Sequence, residues 1–122
     1  MNYFNYFIES YVHDGRIGTL VELDVSDTFA FRSDSFKEFA RDLALQVVAM
    51  NPASVEELLA QPSVKDPEQT VAERMAVLVQ EIRTDVLVRR FVRWDTEPQR
   101  PNFPESPRTP AVIYDLRKAN EA

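Results

Sequence analysis

The sequence predicts an α+β domain, a three-stranded antiparallel sheet with helices packed against one face. Three observations carry this reading. Between Ile17 and Val25 the residues Ile17, Thr19, Val21, Leu23 and Val25 fall on alternate positions, the period of a half-buried strand. Over residues 36–48 the period changes: Phe36, Phe39, Ala40, Leu43, Ala44, Val47 and Val48 recur at three-and-four spacing, with Lys37, Glu38, Arg41, Asp42 and Gln46 on the opposite side of the helix. Residues 86–94, VLVRRFVRW, return to strand composition and rejoin the sheet.

Taken in order, residues 3–13 are aromatic and rich in strand formers, and they stop at Asp14-Gly15, a strong hairpin signal. The first two strands therefore pair antiparallel. A polar loop follows over residues 24–34, interrupted by Phe29 and Phe31 where no periodicity calls for aromatic side chains. One of the two is expected to close over the helix as core. An exposed aromatic in a polar loop has the character of an interface anchor. The long helix begins near residues 33–35, where Ser and Asp side chains accept hydrogen bonds from first-turn amides, and it ends before Asn51-Pro52. Ser54 and Glu57 have capping-box spacing for a short helix that ends at Gln61-Pro62. Thr70 and Glu73 repeat that spacing ahead of an apolar stripe formed by Val71, Met75, Leu78, Val79 and Ile82. Beyond the last strand, Pro98, Pro101, Pro104, Pro107 and Pro110 lie three residues apart, which blocks helix and favours an extended tail. The chain thus divides into a domain over residues 1–95 and a proline-rich tail over residues 96–122. AVIYDL within that tail either docks on the domain or stays free for a partner.

Composition narrows the function. At 122 residues and 44% hydrophobic content the chain suits one domain with a modest core. A net charge of −6 argues against nucleic acid or an anionic membrane as the main partner. With no cysteine there is no disulfide scaffold, zinc-thiolate site or cysteine nucleophile, and the cytoplasm is the expected compartment. The opening MNYFNYFIES lacks the marks of a signal peptide, and no apolar run is long enough to cross a bilayer.

Chemical motifs are sparse. Two glycines, Gly15 and Gly18, cannot build a phosphate-cradling loop, so the common nucleotide enzymes are excluded. His13, the single histidine, stands beside Asp14 at a turn. Without a nucleophile motif it reads as a strand-end residue rather than a general base. Glu22, Asp24, Asp27 and Asp34 lack the ligand spacing of a calcium loop and read as solvated acids. Arg89, Arg90 and Arg93 read as sheet arginines paired with carboxylates rather than as a phosphate site. The residues alone thus lead to a protein-interaction domain.

Two long runs take the reading further. GRIGTLVELDVSDTFAFRSDSFKEFARDLALQVVAMNP and LLAQPSVKDPEQTVAERMAVLVQEIRTDVLVRRFVRWD resemble, in this order, the core of translation elongation factor Ts, the guanine nucleotide exchange factor for elongation factor Tu. They span nearly everything over residues 11–95. The resemblance implies binding to a Tu-type GTPase, promotion of GDP release, no cofactor and no bond chemistry. It places the partner contact on Asp27, Thr28, Phe29 and Ala30, in the position of the family's Thr-Asp-Phe-Val motif. Phe29 matches that motif, Thr28 takes the place of its Asp, and Asp27 lies one residue early, which on an extended segment points it the other way. The family also carries a small helical module ahead of the first strand and a helical hairpin after Met-Asn-Pro. Here the sequence opens on the first strand, and Met50-Asn51-Pro52 passes within a few residues to the next helix. The alternative implied is a non-catalytic scaffold or regulatory module descended from the same core. Pairing of two copies through the sheet is expected in either case, because one layer of helices cannot cover the strand aromatics.

Overall fold

In the computed structural model, which describes residues 5–96, the chain runs through strand β1 (Asn5–His13), strand β2 (Ile17–Val25), a 3-10 turn (Thr28–Arg32), helix α1 (Asp34–Met50), helix α2 (Val55–Ala60), helix α3 (Val71–Ile82) and strand β3 (Val86–Asp95). The sheet has the order β1-β2-β3 and is antiparallel throughout. The α+β class and the three-stranded antiparallel sheet follow the sequence reading. The proline-rich segment lies outside the described residues.

The β1–β2 hairpin is set by Asp14 and Gly15, whose φ angles of 55° and 67° are both positive, as a type I′ turn requires. The Arg16 amide closes the turn on the His13 carbonyl at 3.0 Å. β3 is fastened to β2 at both ends. The Ser26 amide donates to the Asp85 carbonyl and the Asp85 amide to Ser26 Oγ, at 3.1 and 2.9 Å, while the Thr96 amide donates to Arg16 O at 2.7 Å.

One face of the sheet makes the core. Val21, Leu23 and Val25 of β2, with Val86 and Val88 of β3, pack against Phe36, Phe39, Ala40, Leu43, Ala44 and Val47 of α1. Leu58 of α2 and Val71 and Leu78 of α3 close the far side. Each helix has the start its sequence announces. Ser33 Oγ accepts from the Phe36 amide, Ser54 Oγ from the Glu57 amide, and Thr70 and Glu73 form a full capping box.

The structure overturns two expectations about α1. Asp42 and Gln46, assigned to the polar side, are 8% and 1% exposed. The chain from α2 to α3 folds over that flank. Gln46 Nε2 donates to Gln61 Oε1 and the Pro62 carbonyl, and its Oε1 accepts from the Val64 amide at 2.9 Å. Asp42 holds Arg74 of α3 at 3.0 Å and Lys65 at 3.6 Å. These side chains serve as polar clamps that satisfy an otherwise unpaired connection.

A second departure lies in β3. Register passes from Glu22↔Arg90 to Leu23↔Val88, so Arg89 is the extra residue of a bulge. The bulge lets two successive arginines reach carboxylates of β2: Arg89 Nη1 lies 3.2 Å from Asp24 Oδ2, and Arg90 Nε lies 2.6 Å from Glu22 Oε1.

Two stability measurements check this account. Gln46→Leu keeps the volume but strands the Val64 amide and the Pro62 carbonyl, and costs about 2 kcal/mol in denaturant unfolding. Arg83 ends α3 with a φ of 57°, a conformation that strains a side chain. Arg83→Gly relieves that strain and raises stability by about 0.5–1 kcal/mol in the same assay.

Candidate functional site

Residues 26–33 join β2 to α1 and must reverse the chain at the edge of the core. The sequence reading treats them as an extended polar loop, but the structure makes them a capped turn. Asp27 is its N-cap, with Oδ1 accepting from the Phe29 amide at 2.9 Å and its carbonyl accepting from the Ala30 amide at 3.0 Å. The Ser33 amide then returns to the Ala30 carbonyl at 2.9 Å, and Ser33 immediately caps α1. Two caps in succession leave the segment little freedom.

Within this turn the four expected contact residues divide. Ala30 is fully buried in the core, where a larger side chain would push the turn off the sheet. Asp27, Thr28 and Phe29 are exposed, and Phe29 shows 64% of its surface to solvent. Of the two aromatics, Phe31 is the one that closes over the helix. Its ring lies 5.6 Å from that of Phe7 and 5.9 Å from that of Phe36, while Phe7 and Phe36 meet edge to face at 5.2 Å. The side chain after the buried alanine is thus an anchor, and the one before it is presented. Asp27 does not point away as an extended segment would make it. Its carboxylate is engaged at the base of the turn that carries Phe29.

The remaining candidates are placed as follows. His13 stands exposed at the end of β1, with Nδ1 3.0 Å from the Tyr11 hydroxyl and Nε2 3.5 Å from Asp14. The acids are dispersed: Glu22 and Asp24 face arginines of β3, Asp27 caps its turn, and Asp34 opens α1. Among the described residues no cluster of three or more His, Asp or Glu side chains is arranged to hold a metal ion. Arg93 differs from its neighbours, donating to the Val48 carbonyl from Nε and Nη2 at 3.3 and 3.1 Å, so it ties β3 to the last turn of α1. No helix among the described residues is long and apolar enough to cross a membrane.

The sequence reading expects two copies to pair through the sheet without naming the residues of its outer face. Ile8, Val12, Leu20, Val92 and Trp94 are all exposed there, and Trp94 shows 73% of its surface. Register places them side by side: Val12, Gly18 and Trp94 form one cross-strand row, and Ser10, Leu20 and Val92 the next. The signal in the sequence is that β1 is apolar on both of its alternating sets, with Phe7 and Tyr11 inward and Ile8 and Val12 outward. A strand apolar on both faces needs a second layer.

The model of the family described as elongation factor Ts matches residues 2–58. The elongation factor Ts of Rubrobacter xylanophilus is 30% identical over 134 aligned residues, covering 72% of this chain and 69% of that protein. That of Alkaliphilus oremlandii is 29% identical and covers 80% and 68%. A shorter match, to the elongation factor Ts of Desulfosudis oleivorans, reaches 47% identity over 49 residues, 39% of this chain and 25% of the relative. The Rubrobacter alignment is longer than the part of this 122-residue chain it covers, so that relative carries residues within the matched region that have no counterpart here. With the fold, the presented phenylalanine and a relative matched over most of both chains, this chain belongs to the elongation factor Ts family.

Proposed function

We propose that this protein binds an elongation factor Tu-type GTPase through the turn that presents Asp27, Thr28 and Phe29 and that it speeds release of GDP. The observation that carries the reading is Phe29 itself, an exposed aromatic held out on a doubly capped turn whose neighbours Ala30 and Phe31 are locked into the core. A side chain so mounted pays little ordering entropy when it enters a partner's pocket. Exchange of this kind is a matter of relative affinity. The factor binds the nucleotide-free GTPase better than the loaded form, and by linkage the nucleotide leaves faster, with no bond made or broken and no cofactor. The protein acts where translation takes place, in the cytoplasm.

Thr28 supports a second reading. The family's motif has an Asp at this position, and the chain supplies a hydroxyl there while Asp27 Oδ1 is occupied by the Phe29 amide. Binding without efficient exchange, as a scaffold or regulator, is what such a turn retains if the acid is what drives nucleotide out.

The protein also forms a homodimer through the outer face of its sheet. Five large apolar side chains gathered on one face are the kind of patch that a second layer covers. The two faces packed together make a sandwich with the helices outermost. Light scattering at micromolar concentration gives twice the 14.1 kDa chain mass, and Leu20→Lys gives a folded monomer.

Labelled GDP release from elongation factor Tu tests the turn. Phe29→Ala weakens partner binding by roughly 2 kcal/mol or more. Its melting temperature stays near that of the parent, because the ring contributes little burial to the free protein. Thr28→Asp raises the exchange rate. A Phe29→Ala protein that binds and exchanges like the parent removes the turn from the interface.

A further inference from the structure

The outer face of the sheet changes character along its length. Towards the β1–β2 hairpin its cross-strand rows are Val12, Gly18 and Trp94, then Ser10, Leu20 and Val92, and the next row is Ile8, Glu22 and Arg90. Apolar side chains dominate the hairpin end, and charge begins at the third row. Gly18 is the middle residue of the first row, and strand alternation turns it to the same side as Leu20 and Glu22. Val12 and Trp94 stand exposed on either side of it, so Gly18 leaves a notch floored by bare backbone.

Nothing in the free chain calls for a glycine at this place. Gly18 is not among the residues with a positive φ, so no turn conformation demands it. A Cβ at this position would lie 3.4 Å from Val12 Cγ2 and 3.6 Å from the Tyr11 carbonyl oxygen, which are ordinary contact distances. Glycine inside a strand costs stability, and a common reason for it is the close approach of another chain or a ligand. Beside the notch, Trp94 is the most exposed of the large apolar side chains among the described residues. A ring so largely in water leaves the notch open.

Knob and notch are self-complementary under one two-fold operation. With the axis between the two sheets, running along the strands between β2 and β3, β2 of each copy lies over β3 of the other, and Trp94 of each reaches Gly18 of the other. The same operation sets Leu20 against Val92 and turns Glu22 towards Arg90, so opposite rather than like charges face each other across the interface. An axis across the strands at the first row would instead stack Trp94 on Trp94 and leave the two notches facing each other. A slight tilt of the favoured axis gives the crossing angle of about 30° at which aligned sheets pack.

We infer that Trp94 of each copy seats in the Gly18 notch of the other, and that this reciprocal contact sets the register of the homodimer. The inference rests on the homodimer reading above and adds the residues that select one arrangement of the two faces. An aromatic anchor in a pocket of matching size, with Leu20 and Val92 excluding water beside it, is the form such a contact takes.

Trp94 is the single tryptophan of the chain, so its fluorescence reports this contact alone. Emission and acrylamide quenching are followed as the parent is diluted from micromolar to nanomolar concentration, with sedimentation velocity giving the dimer fraction. Emission from the dimer is blue-shifted and shielded from quencher, and it moves to that of a solvated indole as the dimer dissociates. Gly18→Val and Trp94→Ala each raise the dimer dissociation constant roughly tenfold or more. The double variant loses little beyond either single one, because both changes remove one contact. Should Gly18→Val fail to fold by circular dichroism, the parental emission and Trp94→Ala, at an exposed position, decide. A parent dimer whose emission stays that of a solvated indole, or a folded Gly18→Val or Trp94→Ala protein that dimerises like the parent, overturns the contact and leaves the homodimer standing. A parent that is monomeric at micromolar concentration overturns both.

Discussion

The aromatic contact among Phe7, Phe31 and Phe36 is the constraint on which the proposed contact surface depends. Phe7 comes from β1, Phe36 from the first turn of α1, and Phe31 from the turn that links α1 to β2, so three segments converge on one cluster. With Ala30 buried in the core and Phe31 packed against it, Phe29 is left on the outside. Exposure of Phe29 is thus a consequence of core packing. Loosening the cluster would free the turn and make its ordering a cost of every binding event.

The elements that came through clearly in the sequence are those whose stabilisation is local. β2 and the buried side of α1 declare themselves by period, the hairpin by Asp14-Gly15, and the helix starts by Ser33, Ser54 and Thr70, because in each case the signal and the partner group lie within a few residues. What stayed hidden depends on distant chain. Gln46 and Asp42 have the composition of a solvated helix face, and nothing within α1 indicates that residues 61–65 and Arg74 will cover them. The bulge at Arg89 is foreshadowed by two adjacent arginines in an alternating strand, but which carboxylates they meet follows from register. The geometry of the candidate site was half legible. Phe29 stood out as an aromatic without a periodic reason, whereas the caps that turn a loop into a rigid mount require knowing that Asp27 folds back on its own backbone.

Charge is distributed to the same end. Three of the chain's eleven arginines lie in β3, where Arg89 and Arg90 answer Asp24 and Glu22 of β2. The pairing keeps like charges from facing one another across strands, which would otherwise oppose β2–β3 register. On the outer face these pairs stand beside the exposed Ile8, Leu20 and Val92. Apolar side chains in adjacent cross-strand rows are what a second sheet covers in the proposed homodimer.

An exchange factor must hold its partner tightly enough to displace nucleotide and loosely enough to be displaced in turn. That requirement disfavours one large, fully apolar contact and favours several small ones whose energies can be lost separately. The proposed contact has that form. In it a single phenylalanine on a fixed turn serves as an apolar anchor of moderate size. It does not draw on the core, because Phe29 buries little in the free protein. An apolar ring that folding leaves in water and the proposed complex covers gains from burial only on association, so the caps and core contacts that hold it out prepare the contact before the two molecules meet.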